Sequence, residues 1–439
     1  MSIFHITGGT PLYGSVRVGG AKNASYKLMI AALLAESPSR ILNFSHISDV
    51  GLVAKLITNL GADAHNVGDR TYLIDPTNLA KTEIDPAHGD ATRAPTLFIP
   101  VLLAKCGRAV VPFPGGDKIG KRPLERHFEG LQALGAEVSV QGNQIVVTST
   151  QLQGTRYRFA KNTHTGTETM IMAAVKARGT TVLENAAEET EVDDLISYLN
   201  LMGAQIKRLP KRCIQIEGVD KLHGAIYKIM PDQNQVVSFA CAALASKGDV
   251  IVESARQRDL QSFLDKLDAV GAGYEIGSYG IRFYYKQQLR ATDVTTGWFP
   301  GFKTDWQPLW VTLMTQAQGV SHVHETVLEK RFSYVESLKK MGAMIELFNP
   351  VVHNPDEVYN FNLSDASGDE NHAARVTGPT VLQGGEFEVK DIRHGATLMI
   401  AGVAAHGRTI LHDPDNHIDR GYEQLDAQLS VMGADIKRL

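Results

Sequence analysis

Lys22 stands where a Gly-rich strand end, Gly19-Gly20-Ala21, runs into the start of a helix. The first turn of a helix presents unpaired N–H groups and a partial positive charge, so a lysine beside it can hold a phosphate or a carboxylate. The alternative is a solvated helix-end lysine. Arg93 follows Asp90-Ala91-Thr92 at the start of another apolar helix, and Arg393 takes the corresponding place late in the chain. A cation at a helix N-terminus is locally unfavourable, and an arriving anion removes that conflict. The planar fork of arginine suits carboxylate and phosphate because it donates two bonds at once; a surface salt bridge would use either arginine as well. Asp305, after Lys303-Thr304 at a further helix start, reads either as an N-terminal cap or as a carboxylate available for chemistry.

The segment Phe113-Pro114-Gly115-Gly116-Asp117-Lys118-Ile119-Gly120-Lys121-Arg122-Pro123 has the glycines and flanking prolines of a mobile loop or lid. A charged surface turn has the same composition. Lys118, Lys121 and Arg122 crowd Asp117, and their charges lower its pKa, which opposes any role as a proton donor.

A repeated element positions these residues. Gly-Ala follows an apolar residue six times, at Leu60-Gly61-Ala62, Leu134-Gly135-Ala136, Met202-Gly203-Ala204, Val270-Gly271-Ala272, Met341-Gly342-Ala343 and Met432-Gly433-Ala434. Each reads as a helix stop entering a strand. Upstream in each unit a small-residue-rich apolar helix gives way to a β-branched strand, with Gly107, Gly179, Gly248, Gly319 and Gly407 as expected left-handed caps and Glu36-Ser37-Pro38 in the first unit. The Ala-rich helices, apolar on most sides, are expected to be buried.

The chain thus reads as α/β (α+β), six copies of buried helix, strand, outer helix, strand, turn, strand. Three copies fall in 22–231, with the loop 113–123, and three in 232–439; residues 1–21 look like strands of the second half. Two similar domains joined by two crossings, near Gly20-Ala21 and near Met230-Pro231-Asp232, are expected to hold a ligand in the cleft between them.

Bulk properties agree. A length of 439 residues exceeds one ordinary core, and 43% hydrophobic with 21% charged residues suits a globular fold. The net charge of -4 argues against nucleic acid as partner. The N-terminus lacks a basic and apolar leader and no run of about 18 apolar residues occurs, so no membrane partner and a cytoplasmic location are expected. Cys106, Cys213 and Cys241 suggest neither disulfides nor zinc, and His324-Glu325 lacks the second histidine of a metal helix; no metal and no cofactor are expected.

The strings Gly19-Gly20-Ala21-Lys22-Asn23-Ala24, Pro114-Gly115-Gly116, Ile119-Gly120-Lys121-Arg122-Pro123, Thr304-Asp305, His324-Glu325-Thr326-Val327 and His417-Ile418-Asp419-Arg420-Gly421-Tyr422-Glu423 resemble, in order and over essentially the whole chain, the UDP-N-acetylglucosamine 1-carboxyvinyltransferases of the enolpyruvyl transferase family. The resemblance implies two domains, each an inside-out α/β barrel of three units. It implies transfer of the enolpyruvyl group of phosphoenolpyruvate to the 3-hydroxyl of UDP-N-acetylglucosamine, the step that commits this sugar nucleotide to peptidoglycan. By the same resemblance Lys22, Asn23, Arg393 and Arg420 hold phosphoenolpyruvate, with Asn23 also near the sugar. Arg93, Arg122, Pro123, Leu124, Glu125, Arg126, Asn162, Thr163, His164, Thr165 and Val327 line the sugar nucleotide. Asp305 meets the 3-hydroxyl, and Asp117 takes the general-acid position where the family most often has Cys. With no loop thiol to alkylate, insensitivity to fosfomycin is expected. A monomer is compatible with this reading.

Two stretches depart from the family pattern: Pro231-Asp232-Gln233-Asn234-Gln235-Val236-Val237, where Arg-Ile-Glu is usual, and Asn162-Thr163-His164-Thr165-Gly166-Thr167-Glu168. The alternatives are a 3-phosphoshikimate 1-carboxyvinyltransferase, whose opening typically carries Lys-Ser, and a non-catalytic sugar-nucleotide-binding paralogue.

Overall fold

The computed structural model describes residues 2–89, 92–115, 119–366 and 368–439. Contacts divide the chain into two units, one of residues 20–117 and 122–230, the other of residues 1–19, 118–121 and 231–439.

In the first of these units three helices are sunk into the core: Lys22–Ala32, Ile99–Cys106 and His164–Ala174. Small and branched apolar residues on most sides bury these helices, and the polar side chains they do carry, such as Lys27 and Glu168, pair inside the core. Three sheets flank them, built on the strands Ser39–Leu42, Arg108–Pro112 and Thr180–Glu184. The last strand, Ile226–Lys228, pairs in parallel with the first, Tyr227 opposite Ile41, so the three units close on themselves.

The other unit repeats the plan. All thirteen residues of the Gln233–Ala245 helix are buried, as are all eight of Gln307–Met314 and all but the last of Ile392–Ala404. The N-terminal strand Ser2–Thr7 lies between Arg408–Asp413 and Asp435–Arg438, with Phe4 opposite Leu411. Strand Tyr13–Arg17 pairs in parallel with Asp249–Glu253. An aromatic knot of Phe263, Phe302, Trp306 and Trp310, with ring centroids 5.4–6.5 Å apart, fills the base of the Gln307–Met314 helix.

Each Gly-Ala junction stops a helix as its sequence indicates. Gly61, Gly135, Gly203, Gly271, Gly342 and Gly433 all have φ between +79° and +104°, a region where a Cβ is costly. The second series needs one correction. Gly248 is not left-handed; Lys247 takes that conformation, at φ 61°. Gly248 is instead required for space, since a Cβ there would lie 2.1 Å from the Leu12 carbonyl oxygen.

Candidate active site

Helix starts carry most of the candidate side chains in both units. Lys22 is the first residue of its helix, whose first turn has neither a side-chain cap nor an acid. Its ammonium meets Asp49 Oδ2 at 2.5 Å, with only 12% and 8% of the two side chains exposed, so it is not a solvated helix-end lysine. Tyr26, one turn on, places its ring 5.8 Å from the same ammonium. Asn23 is half-buried beside it.

Arg93 is the N-cap of a short 3-10 turn, Ala94–Phe98, that leads into the Ile99–Cys106 helix. Its Nη2 donates to the Arg122 carbonyl at 2.8 Å. Burial, followed by the nearby Arg122 charge, lowers the Arg93 pKa to about 10. Arginine does not give up its proton at such values. The depression therefore measures a cation held at a cost, which an anionic ligand would relieve. Arg122 itself adopts φ 51°.

Leu124 is buried, Pro123 is half-buried and Glu125 is exposed in the first turn of the Glu125–Ala133 helix. Arg126 Nη1 donates to the Asn162 carbonyl at 3.3 Å. Thr163 caps the next buried helix by accepting from Gly166 N at 3.2 Å, and Thr165 Oγ1 lies 3.1 Å from His127 Nε2. Arg126, Asn162, Thr163, His164 and Thr165 are thus gathered at one helix start.

In the other unit Asp305 precedes the Gln307–Met314 helix but does not cap it: that helix has no side-chain cap bond. Its Oδ1 accepts from Arg331 Nη2 at 2.8 Å. Its Oδ2 accepts from Arg393 Nη2 at 2.9 Å and from Asn234 Nδ2 at 3.3 Å. Burial works against the charged form, yet Arg393 and Arg331 prevail and hold the carboxyl well below the usual range.

Arg393 is the second residue of the Ile392–Ala404 helix, capped by Asp391, whose Oδ1 accepts from Arg393 N and His394 N at 2.9 Å each. Its Nη1 donates to the Tyr422 hydroxyl at 2.7 Å. Arg420 lies half-buried two residues before Tyr422, on the short His417–Gly421 helix. That helix approaches Ile392–Ala404 closely, since a Cβ on Gly395 would fall 2.5 Å from Ile418 Cγ1. Val327 N donates at 2.8 Å to the buried carboxylate of Glu325, which also accepts from Thr304 Oγ1 at 2.9 Å. Glu325 thereby ties the Asp305 segment to the Val327 loop. Asp117 lies outside the described residues.

Arg331 and Asp49 join these clusters without having been singled out from sequence, while Asn234, Tyr422 and Glu325 stood within the quoted strings with no role of their own. Arg331 follows the quoted His324–Val327 string by only four residues; Asp49 has no comparable signal. Among the described residues no grouping of His, Cys, Asp and Glu suits a metal ion, and no helix is long and apolar enough to cross a membrane.

The family of EPSP synthase (3-phosphoshikimate 1-carboxyvinyltransferase) matches residues 6–429. The enolpyruvyl transferase NikO from Streptomyces tendae superposes with a TM-score of 0.85 at 23% identity, over 100% of this chain and 99% of that one. An EPSP synthase from Acinetobacter baumannii superposes with a TM-score of 0.74 at 17% identity, over 100% of both. The fold is that of the enolpyruvyl transferase class. Proteins named UDP-N-acetylglucosamine 1-carboxyvinyltransferase from Halothermothrix orenii and Desulforapulum autotrophicum are 38% and 37% identical over the full length of both chains. One from Koribacter versatilis is 37% identical over 100% of this chain and 97% of its own. The chain belongs to the UDP-N-acetylglucosamine 1-carboxyvinyltransferase family.

Proposed function

We propose that the protein moves the enolpyruvyl group of phosphoenolpyruvate onto the 3-hydroxyl of UDP-N-acetylglucosamine and releases phosphate, the first committed step of peptidoglycan synthesis. The observation that carries this reading is end-to-end identity of 36–38% with relatives that bear that name. Lys22, Arg393 and Arg420 hold the donor's phosphate and carboxylate, with Asn23 beside them; Arg93, Arg122, Arg126, the 162–165 segment and Val327 hold the sugar nucleotide.

In the addition step the sugar oxygen bonds to C2 of phosphoenolpyruvate while C3 takes a proton from Asp117. The hydroxyl proton passes toward Asp305. In the elimination step C3 returns a proton to the Asp117 carboxylate, the bond from C2 to the phosphate oxygen breaks, phosphate leaves with that electron pair, and the C2–C3 double bond returns. Asp305 gripped by two guanidiniums is a poor base. An incoming carboxylate or phosphate competes for Arg393 and Arg331, and each guanidinium that turns away makes Asp305 more basic. Asp117 faces the opposite demand, because it must be neutral among Lys118, Lys121 and Arg122. Bound phosphate and exclusion of water offset those cations.

Mass analysis of UDP-N-acetylglucosamine after incubation with phosphoenolpyruvate tests the reading. The expected result is an enolpyruvyl adduct with phosphate release, and no release with shikimate 3-phosphate. Tight nucleotide binding without product would favour a non-catalytic sensor. Asp117→Asn is expected to abolish turnover, and fosfomycin to leave no adduct on the loop.

A further inference from the structure

The stretch 162–168, which departs from the family pattern, places His164 and Glu168 one turn apart on a buried helix, where side chains at i and i+4 meet. Lys27, from the middle of the Lys22–Ala32 helix, is 1% exposed, and its ammonium is ion-paired with the fully buried Glu168. His164 Nε2 lies 3.2 Å from Lys27 Nζ and 3.2 Å from Glu168 Oε1. The histidine ring, with 24% of its side chain accessible, is the end of this buried group that reaches solvent.

Nε2 has two uses here. In the neutral ring it accepts a hydrogen bond from the Lys27 ammonium, which puts the ring's own proton on Nδ1; in the imidazolium it donates to Glu168, and Nδ1 is again protonated. Either way Nδ1–H remains as a donor. Glu189, just before the Thr190–Leu201 helix, is the other charged group that acts on the ring; Arg126 and His127 reach the adjoining residues Asn162 and Thr165. Burial and Lys27 oppose charge on the ring, but Glu168 and Glu189 outweigh them and raise its pKa above the ordinary histidine value.

We infer that His164 contacts the diphosphate of the sugar nucleotide through Nδ1–H, and that Lys27 and Glu168 are positioning residues that engage Nε2 and keep that proton outward. This rests on the function proposed above. The ligand class follows from the neighbours: Arg126, the capped helix start and His164 all offer donors, which suits a dianionic diphosphate diester. Such a diester keeps its charge through the neutral range, so pH dependence of its binding there belongs to the protein.

Calorimetric titration with UDP-N-acetylglucosamine alone, from about pH 6 to about pH 9, tests the inference. Protonated His164 binds the anion better, so the wild-type Kd is expected to rise about tenfold as pH passes upward through the His164 pKa. His164→Gln is expected to bind weakly and with a flat pH course. The double variant Lys27→Met/Glu168→Leu replaces the ion pair with apolar side chains, a change that buried pairs tolerate, and its transition should move to lower pH. A His164→Gln curve that overlays the wild type would overturn the inference, and an unshifted double variant would remove Lys27 and Glu168 from it. If the wild type failed to bind the sugar nucleotide at any pH, the proposed function itself would fall and this inference with it.

Discussion

The Asp305 carboxylate and the Arg393 guanidinium lie 2.9 Å apart, and Arg331 holds the opposite oxygen at 2.8 Å. Both arginines are buried, at 7% and 3% exposure, so this carboxylate is what permits two cations to share one desolvated place. Asp305→Asn removes that charge and leaves them repelling. Stability is expected to fall by about 2 kcal/mol, less than for a fully buried pair because 27% of the Asp305 side chain is exposed. Turnover is expected to fall by about 100-fold. Phosphoenolpyruvate, supplying the missing negative charge, should raise the melting temperature of the variant more than that of the wild type. An equal rise in both would show that the donor does not meet these arginines. The folded-state pKa is depressed, so this stabilisation is present above the ordinary carboxylate value and is lost only as pH falls through the lower folded value.

Lys22 and Asp49 invite a test that separates support from chemistry. Lys22→Ala leaves Asp49 with 8% side-chain exposure and without its ammonium partner, and is expected to cost about 3 kcal/mol by chemical denaturation. Lys22→Ala/Asp49→Ala should recover most of that stability. Turnover should stay lost in both, because anion holding needs the ammonium itself. Restored activity in the double variant would reduce Lys22 to a structural role.

What was legible in the sequence is local. The six Gly-Ala stops needed only a helix, a left-handed glycine and a strand in succession, and each recurs with positive φ. The buried helices were visible because small and apolar residues cover most of their sides. Gly248 misled because the pattern asks for a glycine without saying why; close approach to the Leu12 carbonyl requires it rather than a left-handed turn. The partners of Asp305 were not legible, since Asn234 lies 71 residues away and Arg393 lies 88 away along the chain. No spacing rule links such positions; only closure of the three-unit lobe brings them together. The Lys27–Glu168 pair, 141 residues apart, was hidden for the same reason.

Two histidines should make the protein acid-sensitive. Burial, followed by repulsion from Arg93 and Arg126, lowers the His127 pKa to about 3. Burial lowers that of His394 to about 4 against the pull of Asp391, and its Nδ1 accepts from Lys390 N at 2.9 Å, which requires that nitrogen bare. In both cases the unfolded chain binds a proton that the folded protein refuses, so stability rises with pH across the window. The loss should begin as pH falls through the ordinary histidine value of about 6.5 and continue toward pH 4. Urea denaturation across that range checks this: His127→Gln should flatten part of the slope. An unchanged slope would mean that His127 takes up its proton in the folded state. His164, with its raised pKa, works the other way, giving stability that is full below the ordinary histidine value and lost as pH rises through the folded one.

The segment after Asp117 is fastened by backbone bonds. Lys121 N donates to Glu329 Oε1 at 2.6 Å, Lys330 N donates to the Ile119 carbonyl at 3.2 Å, and Lys121 Nζ pairs with Asp365 at 3.0 Å. Glu329 is 3% exposed, so its bond to Lys121 N is charge-assisted and shielded, while Lys121, with 62% of its side chain exposed, contributes little through Asp365. Gly120 makes room for the clasp: at φ +147° a Cβ would come within 2.7 Å of three atoms of the Glu329 carboxyl group. Trypsin reads the clasp through the Lys121–Arg122 bond, since Pro123 blocks cleavage after Arg122; the other tryptic bond of the segment, Lys118–Ile119, gives a peptide of different mass and is scored separately. Removing a hydrogen bond to a buried charged group favours local opening by about 2 kcal/mol, so Glu329→Ala should be cut at Lys121 at least about tenfold faster. Glu329→Gln, which keeps an acceptor, should lie between it and the wild type. Asp365→Asn should change the rate by less than about threefold. Cutting of Glu329→Ala at the wild-type rate, with its melting temperature unchanged, would show that this carboxylate does not restrain the segment.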